Sequence, residues 1–187
     1  MKRVRFKTLL LGLTFALATL GPTPNADAKT IKMPGFRTAF GSSWMLDSQT
    51  PQAGFNFEAL MRVAFIFPGK TRGKGFMVEP VVGYLYQNPE NETHLFAGGV
   101  DLAYSVSPFF GVSLGTRGVV GSDTYGVAGG IRNSLAFDLI IGVLRAEATH
   151  QVLWHKTGSA HTIGFMVGFD PIRTIALIFA SKKKSRR

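Results

Sequence analysis

Residues 54–67 read Gly-Phe-Asn-Phe-Glu-Ala-Leu-Met-Arg-Val-Ala-Phe-Ile-Phe. An extended chain places Phe55, Phe57, Ala59, Met61, Val63, Phe65 and Phe67 on one face and Asn56, Glu58, Leu60, Arg62, Ala64 and Ile66 on the other. A helix would scatter those phenylalanines around its circumference, so the two-residue period selects a strand. The charged residues Glu58 and Arg62 then share the face opposite the aromatic one.

The same alternation recurs through the chain. Seven further strands are expected at about 36–46, 76–87, 94–106, 109–120, 125–137, 143–155 and 161–169. Proline and glycine at Pro68-Gly69, Ser107-Pro108 and Asp170-Pro171 end three of the eight. Pro80 lies inside the third strand and predicts a bulge or a poorly paired site, because proline donates no ladder hydrogen bond. Short connections are expected at 47–53, 88–92, 121–124 and 155–161. Twenty-two glycines and sixteen phenylalanines in 187 residues suit many strands joined by turns.

The net charge of +10 would suggest an anionic partner, but the excess is terminal. Lys2, Arg3, Arg5 and Lys7 precede an apolar run over Leu9–Leu20, and Ala26-Asp27-Ala28 offers small residues for a signal peptidase. Residues 1–28 are therefore expected to be a secretory signal peptide, too short in its apolar part for a membrane anchor. Lys182–Lys184, Arg186 and Arg187 form a basic tail. Between them, residues 29–180 hold 12 Lys and Arg against 10 Asp and Glu. Export argues against a nucleic-acid partner, and the absence of cysteine means that no disulfide braces the fold.

Sorting the strand charges by parity decides which face is wet. Arg37, Glu58, Arg62, Glu79, Asp101, Arg117, Arg132, Arg145 and Glu147 all fall opposite the aromatic face, and every lysine lies outside the expected strands. A soluble barrel would turn a lysine-rich polar face to water. Here the polar face is mostly Gly, Ala and Ser, which suit the crowded interior of a narrow closed barrel. The aromatic face is thus expected to look outward into lipid, where a basic charge at the midplane costs about 2–4 kcal/mol.

In strand number, dyad alternation and turn pattern, residues 36–169 resemble the small eight-stranded outer-membrane barrels of Gram-negative bacteria, the OmpA and OmpX kind. Ile163, Phe165, Val167 and Phe169 also look like the terminal assembly signal of such barrels. The resemblance implies a single all-β, closed, antiparallel up-and-down transmembrane barrel in the bacterial outer membrane. It also implies outer-membrane lipid and the barrel-assembly machinery as partners, and a monomer. The domain plan is a signal peptide over 1–28, a short lead over 29–35, a barrel over 36–170 and a C-terminal extension over 171–187. The extension departs from the family, whose barrels end at the terminal aromatic residue. A last strand over Ile172–Ala180 is the alternative.

The functional expectation is a barrel with a lumen plugged by paired charges, in a structural, envelope-integrity or minor transport role. Glu58 with Arg62, and Arg145 with Glu147, are the expected pairs. A soluble periplasmic barrel holding an apolar ligand would need the aromatic face inside. A lipid-modifying hydrolase of the deacylase kind would need a His-x-Ser pair, and none of His94, His150, His155 and His161 has serine two residues on. His155 and His161 flank one loop but fall short of a metal ligand set. No catalytic, metal or cofactor site is expected. The short loops argue against a large recognition surface.

Overall fold

The computed structural model describes residues 31–46, 53–69, 74–88, 92–107, 109–123, 126–139, 143–156 and 158–176. The signal peptide, the basic tail from Lys182, and connections 47–52, 70–73 and 89–91 lie outside the described residues.

Eight strands run in order: β1 (Ile31–Met45), β2 (Ala53–Pro68), β3 (Gly75–Asn88), β4 (Thr93–Ser107), β5 (Phe110–Asp123), β6 (Gly126–Leu139), β7 (Leu144–His155) and β8 (Gly158–Phe169). Each pairs antiparallel with its sequence neighbours, and β8 pairs back onto β1, so the sheet is a closed up-and-down barrel. The organising stretch is β2, in register with β1 on one side and β3 on the other.

The stagger of the barrel can be followed from residue to residue. Partners step from Gly35 through Arg62, Val81, Gly99, Arg117, Arg132, Gln151 and Thr162, and return to β1 at Met45, ten residues beyond the start. With a rise of about 3.3 Å per residue and about 4.8 Å between strands, that shear tilts the strands by about 40°. A strand of about 9–11 residues at such a tilt crosses a bilayer, and these strands run 12–16 residues.

Several boundaries differ from the sequence reading. β1 begins at Ile31, so residues 31–35 belong to the barrel rather than to a lead segment. This carries Lys32 into a strand, at its outermost turn, with Nζ 5.7 Å from the Phe65 ring centroid. The far-end connections are shorter than expected: β5 runs on to Asp123, β6 starts at Gly126, and β8 starts at Gly158. Gly126 and Gly158 open their strands at φ of 110° and 155°, a region that glycine enters without a Cβ penalty.

Pro80 makes no bulge. It points outward, in register with Val100, while the β2–β3 pairing is interrupted at Glu79 and Pro80 and resumes at Val78 in the same register. Residues 171–176 are helical (α1) and the last strand is β8, so the described part of the alternative last strand over Ile172–Ala180 is not a strand, and residues 177–180 lie outside the described residues. Asp170-Pro171 is the reason: the aspartate caps the helix, with Oδ1 accepting from Arg173 N at 2.9 Å, and proline suits the first helical position.

Candidate functional site

The barrel wall sorts its side chains as the alternation requires. Phe96, Phe165 and Met61 are more than 60% exposed on the outside, whereas Leu60, Glu58 and Asp101 are fully buried inside. The lumen is lined largely by charge and the aromatic groups face out, the reverse of the arrangement that a soluble barrel holding an apolar ligand needs. Aromatic residues gather towards both ends of the exterior. Trp44 packs edge-on to Phe165 and Tyr86 against His94 towards one end, and Phe67 against Phe76 and Phe110 against Phe137 towards the other.

Each of the nine strand charges singled out from parity points into the lumen and is buried. The structure adds three more, Asp138, Asp170 and Arg173. The buried set thus contains six arginines and six carboxylates. An unpaired charge there would carry a large desolvation cost, so pairing is obligatory.

The central cluster is organised around Glu58. Its Oε1 accepts from Arg37 Nη2 at 2.6 Å and its Oε2 from Arg117 Nη1 at 2.9 Å, with Arg132 Nη2 at 3.6 Å. Arg117 Nη2 also donates to both oxygens of Asp101 at 2.9 Å. Arg145 bridges Asp101 at 3.1 Å and Glu147 at 3.1 Å, and Asp138 lies 4.0 Å away. Glycine makes the room: at Gly115 a Cβ would collide with the Asp101 carboxylate and the Ser134 hydroxyl.

The second cluster lies at the end where β1 begins and β8 finishes. Arg62 donates to Glu79 Oε2 at 3.1 Å and to Asp170 Oδ2 through Nε at 3.0 Å and Nη2 at 2.8 Å. Arg173, on α1, reaches back into the barrel to Glu79 Oε1. Asp170 also ties α1 to the wall, with its N donating to Val143 O at 2.9 Å and its Oδ1 accepting from Phe36 N at 3.4 Å. The turn after the last strand is therefore a cork, seated by buried ion pairs in a gap that Gly35 leaves free.

Towards the opposite end the lumen turns apolar and amidic. Leu85, Leu95, Ala97, Val119 and Leu153 form one buried cluster, beside a Gln151–Gln87 hydrogen bond of 2.5 Å. Along the described lumen the Asp170–Arg173 cluster, the central charge network and the apolar cluster follow one another.

The pairing differs from expectation in one case. Arg145 and Glu147 do meet, but Glu58 and Arg62 belong to different clusters. Residues four apart on a strand are about 13 Å apart, too far for an ion pair even on one face. Asp138 continues the inward parity of β6 by one step, so it was within reach of the same reasoning once the strand is extended to Leu139. Asp170 and Arg173 lie past the last strand, where parity gives no guidance. Their signal was the capping pair Asp170-Pro171. His155 and His161 are not a pair: His155 lies 3.4 Å from Asp123, and His161 faces His150 with ring centroids 5.7 Å apart.

No protein-family profile matches the chain, and no curated protein matches it. Among solved structures it is similar to a de novo designed transmembrane β-barrel, at 9% identity and a TM-score of 0.40 over 73% of this chain and 94% of that one. It is also similar to Ail, the attachment invasion locus protein of Yersinia pestis, at 8% identity and a TM-score of 0.38 over 74% of this chain and 97% of that one. Ail in complex with the heparin analogue sucrose octasulfate gives 9% identity and a TM-score of 0.36, over 76% and 99%.

Proposed function

We propose that this protein is a bacterial outer-membrane β-barrel whose lumen is closed by its own side chains and whose role is structural, in the integrity of the envelope, rather than open diffusion. The observation that carries the reading is the sorting of charge: six arginines and six carboxylates are buried within a wall whose outer face is aromatic and aliphatic. Water outside that wall would meet a band of exposed Phe, Val, Leu and Met around the barrel, far beyond the few hundred Å² of apolar patch a soluble monomer tolerates. Lipid satisfies it, and the closed ladder leaves no unpaired edge in the hydrocarbon. Lys32 at the end of β1 can extend to the headgroups, as long basic side chains do. With both termini periplasmic, α1 corks the periplasmic mouth and the short far-end hairpins face out of the cell. We read the chain as a non-enzyme, with lipid and the assembly machinery as its partners.

The test is refolding of the mature chain into detergent micelles and then into a planar bilayer. The expected result is β-type circular dichroism, different gel mobility of boiled and unboiled samples, and no steady conductance. A steady open-pore conductance of the wild type would overturn the closed lumen, and folding as a soluble monomer in plain buffer would overturn the membrane assignment. Unchanged lipid A mass in cells with and without the protein is the expected result for a non-enzyme.

A further inference from the structure

Resting on the membrane reading, one part of the outer wall is built unlike the rest. Thr116, Asn133 and His150 are outward-facing and lie in one row, because Thr116 pairs with Asn133 and Asn133 with His150 in the ladder. They are the seventh of fourteen residues in β5, the eighth of fourteen in β6 and the seventh of twelve in β7. Mid-strand on a barrel of this length is the middle of the hydrocarbon. There the Asn133 amide on the lipid side finds no water to bond, while the His150 ring packs against His161.

Thr116 Oγ1 donates to Asn133 Oδ1 at 3.0 Å, which engages the amide oxygen and turns the two N–H donors of the amide into what the row presents. Next to the row lies a bare patch of backbone. Gly98 and Gly118 are ladder partners, both exposed on the outer face. Neither is glycine for an internal reason: a Cβ at Gly98 would meet nothing within 4 Å, and one at Gly118 only Gly98 O at 3.9 Å. The inward neighbour Gly99 is the contrast, since a Cβ there would run into the Thr116 carbonyl and the Arg117 backbone. Glycine weakens a strand interior and is retained where another backbone comes close.

We infer that the β4–β7 face, centred on Asn133, is the interface of a homodimer in the membrane. The row offers both donors and acceptors, so a two-fold axis along the membrane normal sets Asn133 against the partner's Asn133 and is self-complementary. Polar side chains beside small residues are the combination by which membrane segments associate, since lipid competes for neither the hydrogen bond nor the close backbone approach. This departs from the monomer expected from sequence.

The chain has no cysteine, which makes cross-linking clean. Gly118→Cys is compared with Met61→Cys, an outward position on β2 that is 62% exposed and outside the row. Each is refolded into dilute phosphatidylcholine vesicles and oxidised, while wild type is weighed in micelles by sedimentation. The expected result is a disulfide-linked dimer for Gly118→Cys, a low collisional yield for Met61→Cys, and wild type at twice the monomer mass. Asn133→Leu should weaken the dimer by roughly tenfold or more, and Thr116→Val does the same if the leucine variant fails to fold. Equal cross-linking at both positions with wild type at monomer mass overturns the dimer. Gel mobility of unboiled samples keeps the two readings apart: a folded monomer refutes the interface alone, whereas failure to fold in lipid refutes the membrane reading beneath it.

Discussion

Glu58→Gln should be among the costliest single changes in this barrel, and Arg132→Met should cost less. The glutamine keeps the size of the side chain, but Oε1 faces Arg37 and Oε2 faces both Arg117 and Arg132. Whichever way the amide is turned, its NH2 meets a guanidinium that has no acceptor to offer. The lumen is left with one uncompensated positive charge. Removing one partner of a buried ion pair costs about 3–5 kcal/mol, and the 2.6 and 2.9 Å contacts at Glu58 put it at the upper part of that range. Arg132 is the opposite case. Its contacts are a 3.6 Å approach to Glu58, a 3.5 Å bond to Gln151 and the Met166 sulfur, and Glu58 keeps two closer arginines without it. A methionine of similar length also leaves the lumen one charge out of balance, but because Glu58 keeps its two closer arginines the cost should stay at least about 1 kcal/mol below that of Glu58→Gln. The assay is denaturant unfolding in micelles, followed by the fluorescence of Trp44 and Trp154 and by the unboiled gel band. If Glu58→Gln unfolds within about 1 kcal/mol of wild type, or Arg132→Met costs as much as it does, the network is not what holds the lumen.

Three further outcomes follow from other parts of the structure. Asp170→Ala removes both the helix cap and the Arg62 pair, so it should cost about 3–5 kcal/mol and expose Arg173 to trypsin, with Asp170→Asn milder by about 1 kcal/mol because it can still cap. Fragment masses after limited proteolysis of folded protein check this. Gly115→Ala should cost about 1–3 kcal/mol by displacing Asp101 in unfolding titrations, whereas Gly98→Ala, with open space around it, should change monomer stability by less than about 1 kcal/mol. Met61→Arg, on the outer face in the middle of β2, should cost about 2–4 kcal/mol when unfolding is measured from lipid vesicles, and a neutral result there would mean the face meets water.

Much of this architecture is legible from period alone. Parity in 54–67 fixes which side of β2 holds Glu58, and the same rule gives the face of Asp101 or Arg145 without any knowledge of neighbours. The rule is blind across the lumen. Sharing a strand suggests Arg62 as the partner of Glu58, yet its partners come from β1, β5 and β6, at sequence separations that no local pattern encodes. The cork was hidden for another reason. Asp170-Pro171 is a strand terminator and a helix start at once, and only the position of the β1 edge above Thr38, left unpaired where β8 ends, shows why the chain turns back there.

The partner pattern also says something about how the barrel closes. Arg117 and Arg132 are directly opposite in the β5–β6 hairpin, and Glu79 and Asp101 directly opposite in β3–β4. Like charges set across a ladder are destabilising, so neither hairpin is favourable by itself. Relief comes from outside each hairpin: Glu58 of β2 for the two arginines, and Arg62 and Arg117 of the flanking strands β2 and β5, with Arg145 from across the lumen, for the two carboxylates. Arg37 of β1 completes the set by reaching Glu58, Asp101 and Glu147 on three other strands. Several of these pairs, Arg37 with Glu147, Arg132 with Glu58 and Arg145 with Asp101, join strands that are not ladder neighbours and come together only as the sheet curls closed. Those cross-lumen pairs therefore favour the closed barrel over an open sheet, and the cork, which needs both the β1 edge and Glu79 in place, depends on the first three strands as well as the last.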